Sequence, residues 1–91
     1  MYAKLLSVQT PPANTLISVL VQKISTIVIT NTSTSTTVKY GFNNGSDVIL
    51  EEFTIGDNKT AYITLDLSLN GNLLIYSLSG NVTFTLIGDN G

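Results

Sequence analysis

The sequence contains no cysteine, no histidine and no tryptophan, and its only basic side chains are four lysines. Without cysteine the chain has no disulfide framework and no thiol chemistry. Without histidine it lacks the commonest general base, and the loss of both residue types removes the usual zinc ligands. We therefore expect a protein that is not an enzyme and that holds no cofactor.

Charged side chains are also scarce, at 11% of the 91 residues, against about 25% in typical globular domains. The lysines are scattered, whereas binding to nucleic acid or anionic lipid needs clustered positive charge. Their positions are Lys4, Lys23, Lys39 and Lys59. The apolar runs fall short of the roughly 20 residues of a membrane span, and the first residues lack the apolar core of a signal peptide. We expect neither a nucleic-acid partner nor a membrane.

Six carboxylates are the remaining candidates for chemistry. Glu51 and Glu52 are adjacent on a predicted strand, so their side chains point to opposite faces. The sequence leaves open a pairing of Glu52 with Asp57, as a glycosidase would need. In the Asp57-Asn58-Lys59 stretch a cation occupies the place of a third calcium ligand, which favours residues that cap their own turn. The sequence predicts no catalytic residue and no metal ligand.

Short stretches rich in β-branched residues alternate with turn residues every eight to twelve positions. The clearest is 61–69, where Ile63 and Leu65 alternate with polar neighbours before an Asn70-Gly71 tight turn. The predicted strands are 2–9, 15–22, 23–30, 36–42, 48–55, 61–69, 73–79 and 82–87. This pattern predicts an all-β protein, a single antiparallel β-sandwich of about seven or eight short strands, jelly-roll-like. The pattern alone does not separate a sandwich from a small barrel.

The whole chain, 1–91, is expected to be one domain, with 1–9 as an N-terminal arm or edge strand. The polar surface must come from Ser, Thr and Asn, which are inexpensive to bury in an interface. Tyr40 and Tyr76 share a face with core residues, whereas Tyr62 falls on the polar face. The candidate interface residues are Tyr2, Leu5, Leu6, Pro11, Pro12 and Tyr62.

One ordered pattern spans roughly positions 10 to 88. It consists of a proline corner, an apolar strand that ends in Asn-Thr-Ser, a Thr/Val strand, an alternating strand and a last strand that ends in Gly. The segments are Thr10-Pro11-Pro12-Ala13-Asn14-Thr15, residues 24–33, Thr37-Val38-Lys39-Tyr40, residues 61–65, residues 73–77 and residues 81–88. This order resembles the small β-sandwich proteins of tailed-bacteriophage virions, which serve as capsid decoration (cement) proteins or head–tail accessory proteins.

The resemblance implies a non-enzymatic structural protein located in the virion, at the capsid surface or the head–tail region. Its expected partners are the major capsid protein or other virion proteins, and further copies of itself as a homo-oligomer. Residues 1–9 could then add a strand to a neighbour's sheet. The alternative is a carbohydrate-binding or adhesin-type β-sandwich module, which predicts exposed aromatic side chains in a row. The third hypothesis is an enzyme or enzyme fragment, which would require a cleft with paired carboxylates.

Overall fold

The computed structural model describes residues 3–43 and 45–89, with the side chains of Ala3, residues 66–70 and Asp89 outside the description. Six strands and no helix are present in these residues. The strands are β1 Ala3–Gln9, β2 Ile17–Asn31, β3 Thr36–Asn43, β4 Asp47–Ile55, β5 Thr60–Ser77 and β6 Val82–Asp89. All pairings are antiparallel, so the predicted all-β antiparallel class is confirmed. Among the described residues there is no helix long and apolar enough to span a membrane.

The strands form one sheet in the order β1-β6-β2-β5-β3-β4, and its two longest members belong to two halves of that sheet. Residues 24–31 of β2 pair with β6 and with residues 60–64 of β5, whereas residues 17–21 pair with residues 71–75. We call the half that contains β1 and β6 the β6 layer, and the half that contains β3 and β4 the β3 layer. With each long strand counted as two segments, the connectivity is that of an eight-stranded jelly roll.

Both long strands bend at a residue with positive φ. Lys23 has φ 55° and Gly71 has φ 139°, and the register places them beside each other, with Val21 opposite Gly71. The eight predicted short strands are thus present as six, because two predicted strand ends are bends inside continuous strands. The predicted tight turn at Asn70-Gly71 is wrong, since β5 runs through it and bends there without reversing.

The core lies between the two layers. Phe84 of the β6 layer and Leu73 of the β3 layer are fully buried and belong to one cluster. Because no helix is present to cover them in the described residues, each layer is covered by the other. The smallest dimension of the molecule, 19 Å, suits two sheets that pack about 10 Å apart with side chains on both outer faces. The sheet is therefore folded into a sandwich.

Two glycines permit close approach of neighbouring backbone. A Cβ at Gly41 would overlap the carbonyl oxygen of Val48, at a β-bulge where β4 carries one extra residue opposite β3. A Cβ at Gly88 would come within 2.8 Å of both the Leu6 side chain and the Lys23 carbonyl oxygen. Both glycines therefore allow an edge strand, β4 at Gly41 and β1 at Gly88, to pack closely against the rest of the sheet.

A buried asparagine braces one end of the sandwich. Asn31 is 1% exposed, and its Nδ2 donates to the carbonyl oxygens of Thr34 and Gly56, both at 2.9 Å. Its Oδ1 accepts from the backbone N–H of Ser33 at 3.2 Å. One side chain thus joins the loop that precedes β3 to the turn that precedes β5. Every polar atom of the Asn31 side chain takes part in this bracing.

Candidate interaction surface

The outer face of the β6 layer follows from strand alternation. Phe84 and Leu86 of β6, like Ile27 and Ile29 of β2, point into the core, so the residues between them point outward. Directly opposite residues of an antiparallel pair lie on the same face. The register therefore places outward residues of all four strands side by side.

These residues form three rows across the four strands. The middle row is Val8, Thr85, Val28 and Tyr62, in which each residue lies opposite the next. One flanking row is Leu5, Ile87, Thr26 and Thr64. The other is Thr83, Thr30 and Thr60, continued by Thr10, whose hydroxyl lies 3.2 Å from the Thr83 hydroxyl. We call these twelve residues the uncharged face.

The uncharged face consists of threonine, aliphatic residues and one tyrosine. Three of its apolar side chains are largely open to solvent: Tyr62 is 72% exposed, Leu5 62% and Val8 54%. Between them lie Val28 and Ile87, which are half-buried. Burial of this surface in an interface removes apolar area from water, which is favourable, and desolvates no charged group. Its chemistry suits contact with another uncharged surface.

The outer face of the β3 layer has a different chemistry. Lys39 Nζ lies 3.7 Å from Glu52 Oε1 and 4.7 Å from the centre of the Tyr76 ring. Asn43 Nδ2 donates to Asp47 Oδ1 at 2.6 Å on the same face. We call this surface, which also includes Leu20 and Leu74 by register, the charged face. A partner here would have to desolvate an ion pair.

A third feature is the β4 edge. Val48, Ile49 and Leu50 are exposed in succession, because the bulge opposite Gly41 interrupts the alternation of β4. Immediately after them, Glu51 Oε1 accepts a hydrogen bond from the Tyr40 hydroxyl at 3.0 Å. Burial, and then this carboxylate, raise the pKa of Tyr40 above its ordinary value. The edge therefore combines apolar side chains with an anchored carboxylate.

The predicted site residues divide between surface and interior. Leu5 and Tyr62 lie on the uncharged face. Pro12 is exposed and follows Thr10 of that face by two positions in the chain. Leu6 packs against the core and Pro11 is buried, so these two side chains stabilise the domain and offer little to a partner. Tyr2 lies outside the described residues. Tyr40 is buried in the core, as predicted. The prediction that Tyr76 shares the core face is wrong, because Tyr76 lies opposite Lys39 on the charged face, where it is half-buried with its hydroxyl donating to Asn14.

Several surface residues were missed in the sequence. Val8 and Val28 join Tyr62 only through strand register, which a single sequence does not contain. A partial signal existed, because Thr26-x-Val28-x-Thr30, Thr60-x-Tyr62-x-Thr64 and Thr83-x-Thr85-x-Ile87 all alternate with apolar residues. The exposed run at Val48–Leu50 could not be seen, since the bulge that causes it depends on the partner strand.

The four carboxylates whose side chains the structure describes all interact with other groups of the protein, and Asp66 and Asp89 lie outside that description. Glu52 pairs with Lys39 on the charged face, whereas Asp57 Oδ1 accepts the backbone N–H of Ser35 at 2.6 Å in the braced end. The pairing of Glu52 with Asp57 left open above is therefore not formed. Among the described residues, no group of three or more acidic, histidine or cysteine side chains is placed to hold a metal ion.

A scan against protein-family models and searches of curated proteins and solved structures find no match for this chain. Functional inference therefore depends on the surfaces described above.

Proposed function

We propose that this chain is a non-enzymatic structural subunit of a virion, a capsid decoration (cement) protein or a head–tail accessory protein that acts through protein–protein contacts. The observation that carries the proposal is the presence of two separate exposed apolar surfaces on one small sandwich. One is the uncharged face and the other is the β4 edge at Val48–Leu50. A subunit that joins an assembly needs contacts of this kind in more than one direction.

The two surfaces are far apart in the sheet order. The uncharged face lies on the β6 layer, whereas β4 is the last strand of the β3 layer. A chain with surfaces so arranged can contact a sister subunit and a lattice at the same time. Many such copies add their contacts, so each contact can be weak while the assembly is held firmly.

The scarcity of charge fits the same role. Only 11% of residues are charged, and the charged face uses its ion pair internally. A surface of threonine and aliphatic groups has a low desolvation cost, which allows burial without an exactly matched set of opposite charges. The major capsid protein, or another virion protein, is the partner that the proposal requires.

The test is co-purification with particles. An antibody raised against the chain is used on particles banded in a density gradient from the native source. We expect the chain to band with the major capsid protein in a fixed ratio and to be displaced in a Val48→Asp/Leu50→Asp variant, with Thr54→Asp on the same strand as the control. Particles that lack the chain would overturn the proposal.

The carbohydrate-binding alternative has one observation in its favour, the 72% exposed Tyr62 ring on a hydroxyl-rich sheet face. Sugar platforms of this type use several aromatic rings side by side, whereas Tyr62 is the only aromatic of the twelve residues on this face. A glycan array decides between the two. Binding that is lost in Tyr62→Ala would favour this alternative, and an array without hits would remove it.

A further inference from the structure

We infer that the uncharged face is a self-association surface, and that its occupant is the same face of a second copy of this chain. The inference goes beyond the proposed function, because it assigns a partner to one of the two surfaces and can be tested without any virion. It starts from the charge distribution. A charged group placed against this face would be desolvated with no counter-charge to pair with it.

The partner must therefore present an uncharged surface of similar extent. On this chain the uncharged face itself meets that requirement, whereas the charged face has Lys39, Asp47 and Glu52 in the corresponding outward positions. Contact of the uncharged face with the charged face would bury these groups. Contact between two uncharged faces buries none, so the symmetric arrangement is favoured.

The middle row fixes how two faces match. Its large, protruding member, Tyr62, lies at the β5 end, and its smaller member, Val8, lies at the β1 end. A two-fold axis parallel to the strands places Tyr62 of each copy on Val8 of the other. An axis perpendicular to the strands would stack the two Tyr62 rings and leave a gap between the two Val8 side chains. Both axes keep the strands of the two copies aligned, as is common between packed sheets, but only the first arrangement fills space at both ends.

The area sets the strength of the contact. Four strands about 4.8 Å apart and three rows about 6.7 Å apart cover roughly 19 by 20 Å, or about 380 Å² per copy. A standard stable interface buries about 800 Å² per partner. The face alone therefore gives a reversible dimer, and its dissociation constant is expected to lie between about 10 μM and 1 mM. Association of this strength becomes firm only when a lattice holds many copies together.

The experiment is sedimentation equilibrium of the full chain over that concentration range. We expect the weight-average mass to rise from 9.7 kDa toward twice that value, with little dependence on salt, because no charge lies in the contact. Tyr62→Lys should weaken association at least about tenfold, since a charge would be buried opposite Val8. The matched control is Leu20→Lys, at a 76% exposed leucine on the other layer, which should leave association unchanged.

Cross-linking tests the arrangement directly. The chain has no cysteine, so a Leu5→Cys/Thr64→Cys variant, which keeps Tyr62 and Val8 and changes the β1 and β5 ends of a flanking row, carries the only two thiols. Within one copy these positions lie three strand spacings apart, about 14 Å, beyond a short bis-maleimide linker. Between copies they face each other across the roughly 10 Å that separates packed sheets. Covalent dimers are therefore expected.

Three results would overturn the inference. They are a mass that stays at the monomer value at all concentrations, an association weakened by Leu20→Lys instead of Tyr62→Lys, and the absence of covalent dimers. If association fails while the chain still bands with particles, only the self-association surface is lost. If association holds while particles lack the chain, only the virion role is lost.

Discussion

The two outer faces of this sandwich come from the same kind of alternating strand, yet they present different surfaces. The twelve residues of the uncharged face are threonines, aliphatic residues and one tyrosine, in rows that continue across the register shift between Leu5 and Ser7 of β1. On the charged face the row order is interrupted at Gly41, where the backbone of β4 crosses over the missing side chain. Alternation thus determines which side chains point outward, and the bulges determine whether they form a continuous surface.

The difference extends to what each face does with polar groups. The charged face satisfies its own groups, as Lys39 does with Glu52 and Tyr76. The uncharged face has hydroxyl groups, which can form hydrogen bonds to water, and methyl groups, which cannot. A face of the second kind gains more from a partner, because apolar area contributes when it leaves water. Four variants probe this comparison, beginning with the one of largest expected effect.

Gly41→Ala should disrupt the charged face most. The added methyl group would overlap the carbonyl oxygen of Val48, so β4 would have to move away from β3. We expect the free energy of unfolding in urea to fall by about 3 kcal/mol. The control is Gly80→Ala, where the nearest atom to the new methyl group lies 3.8 Å away. A loss as small as that of the control would mean that the bulge is not fixed by Gly41.

Asn31→Ala tests whether the two faces are held as one body. The substitution removes the donor to the Thr34 and Gly56 carbonyl oxygens in a buried site. We expect a loss of about 2 kcal/mol in the free energy of unfolding, because both acceptors lose a partner. Asn81→Ala, at an exposed turn, serves as the control with a change within about 0.5 kcal/mol. Equal changes in the two variants would contradict the bracing role.

Tyr40→Phe probes the inner side of the β3 layer through pH. Burial and Glu51 raise the pKa of Tyr40 in the folded state. The neutral Tyr40 hydroxyl therefore makes its full contribution to folding stability below the pKa of tyrosine in the unfolded chain, which is near 10. That contribution is lost as the pH rises through the folded value. We therefore expect Tyr40→Phe to flatten the alkaline loss of stability, measured by urea unfolding at a series of pH values. At neutral pH the variant should lose about 1 kcal/mol with the hydrogen bond to Glu51. Parallel alkaline profiles for the two proteins would refute the assignment.

The smallest effect is expected where the charged face is made to resemble the uncharged one. The Lys39→Thr/Glu52→Thr double variant removes an ion pair whose side chains are 33% and 58% exposed. Solvent screening leaves such pairs worth about 0–1 kcal/mol. We expect a change in that range, read from a double-mutant cycle of urea unfolding. A coupling well above it would show that the charged face depends on its ion pair for stability.

Sequence pattern was sufficient for much of the fold. The positions of the strand segments follow from alternation and turn residues, and even the bends at Lys23 and Gly71 coincide with predicted strand ends. The alternating 61–69 stretch also has the predicted inward face where its side chains are described, at Ile63 and Leu65. The alternation pattern did not show whether the chain reverses direction at a glycine between two strand segments, because a glycine with positive φ occurs both in turns and in bent strands.

The candidate surface was predictable only in part. Tyr62 and Leu5 were identified as surface residues, but Pro11 was not recognised as buried, since burial of a corner depends on what packs over it. The prediction that partners are virion proteins stays a prediction, as does self-association.

The sequence by itself determined that this protein is all-β, that only 11% of its residues are charged, and that it has no histidine or cysteine side chain to take part in chemistry. Those properties depend on residue types and on a period of two along the chain, both of which are local. Only the tertiary structure decided which outward residues became neighbours. The rows of the uncharged face join residues that are as many as 82 positions apart, as Leu5 and Ile87 show. Their alignment is fixed by hydrogen-bond register and by bulges, which arise between strands and not within them.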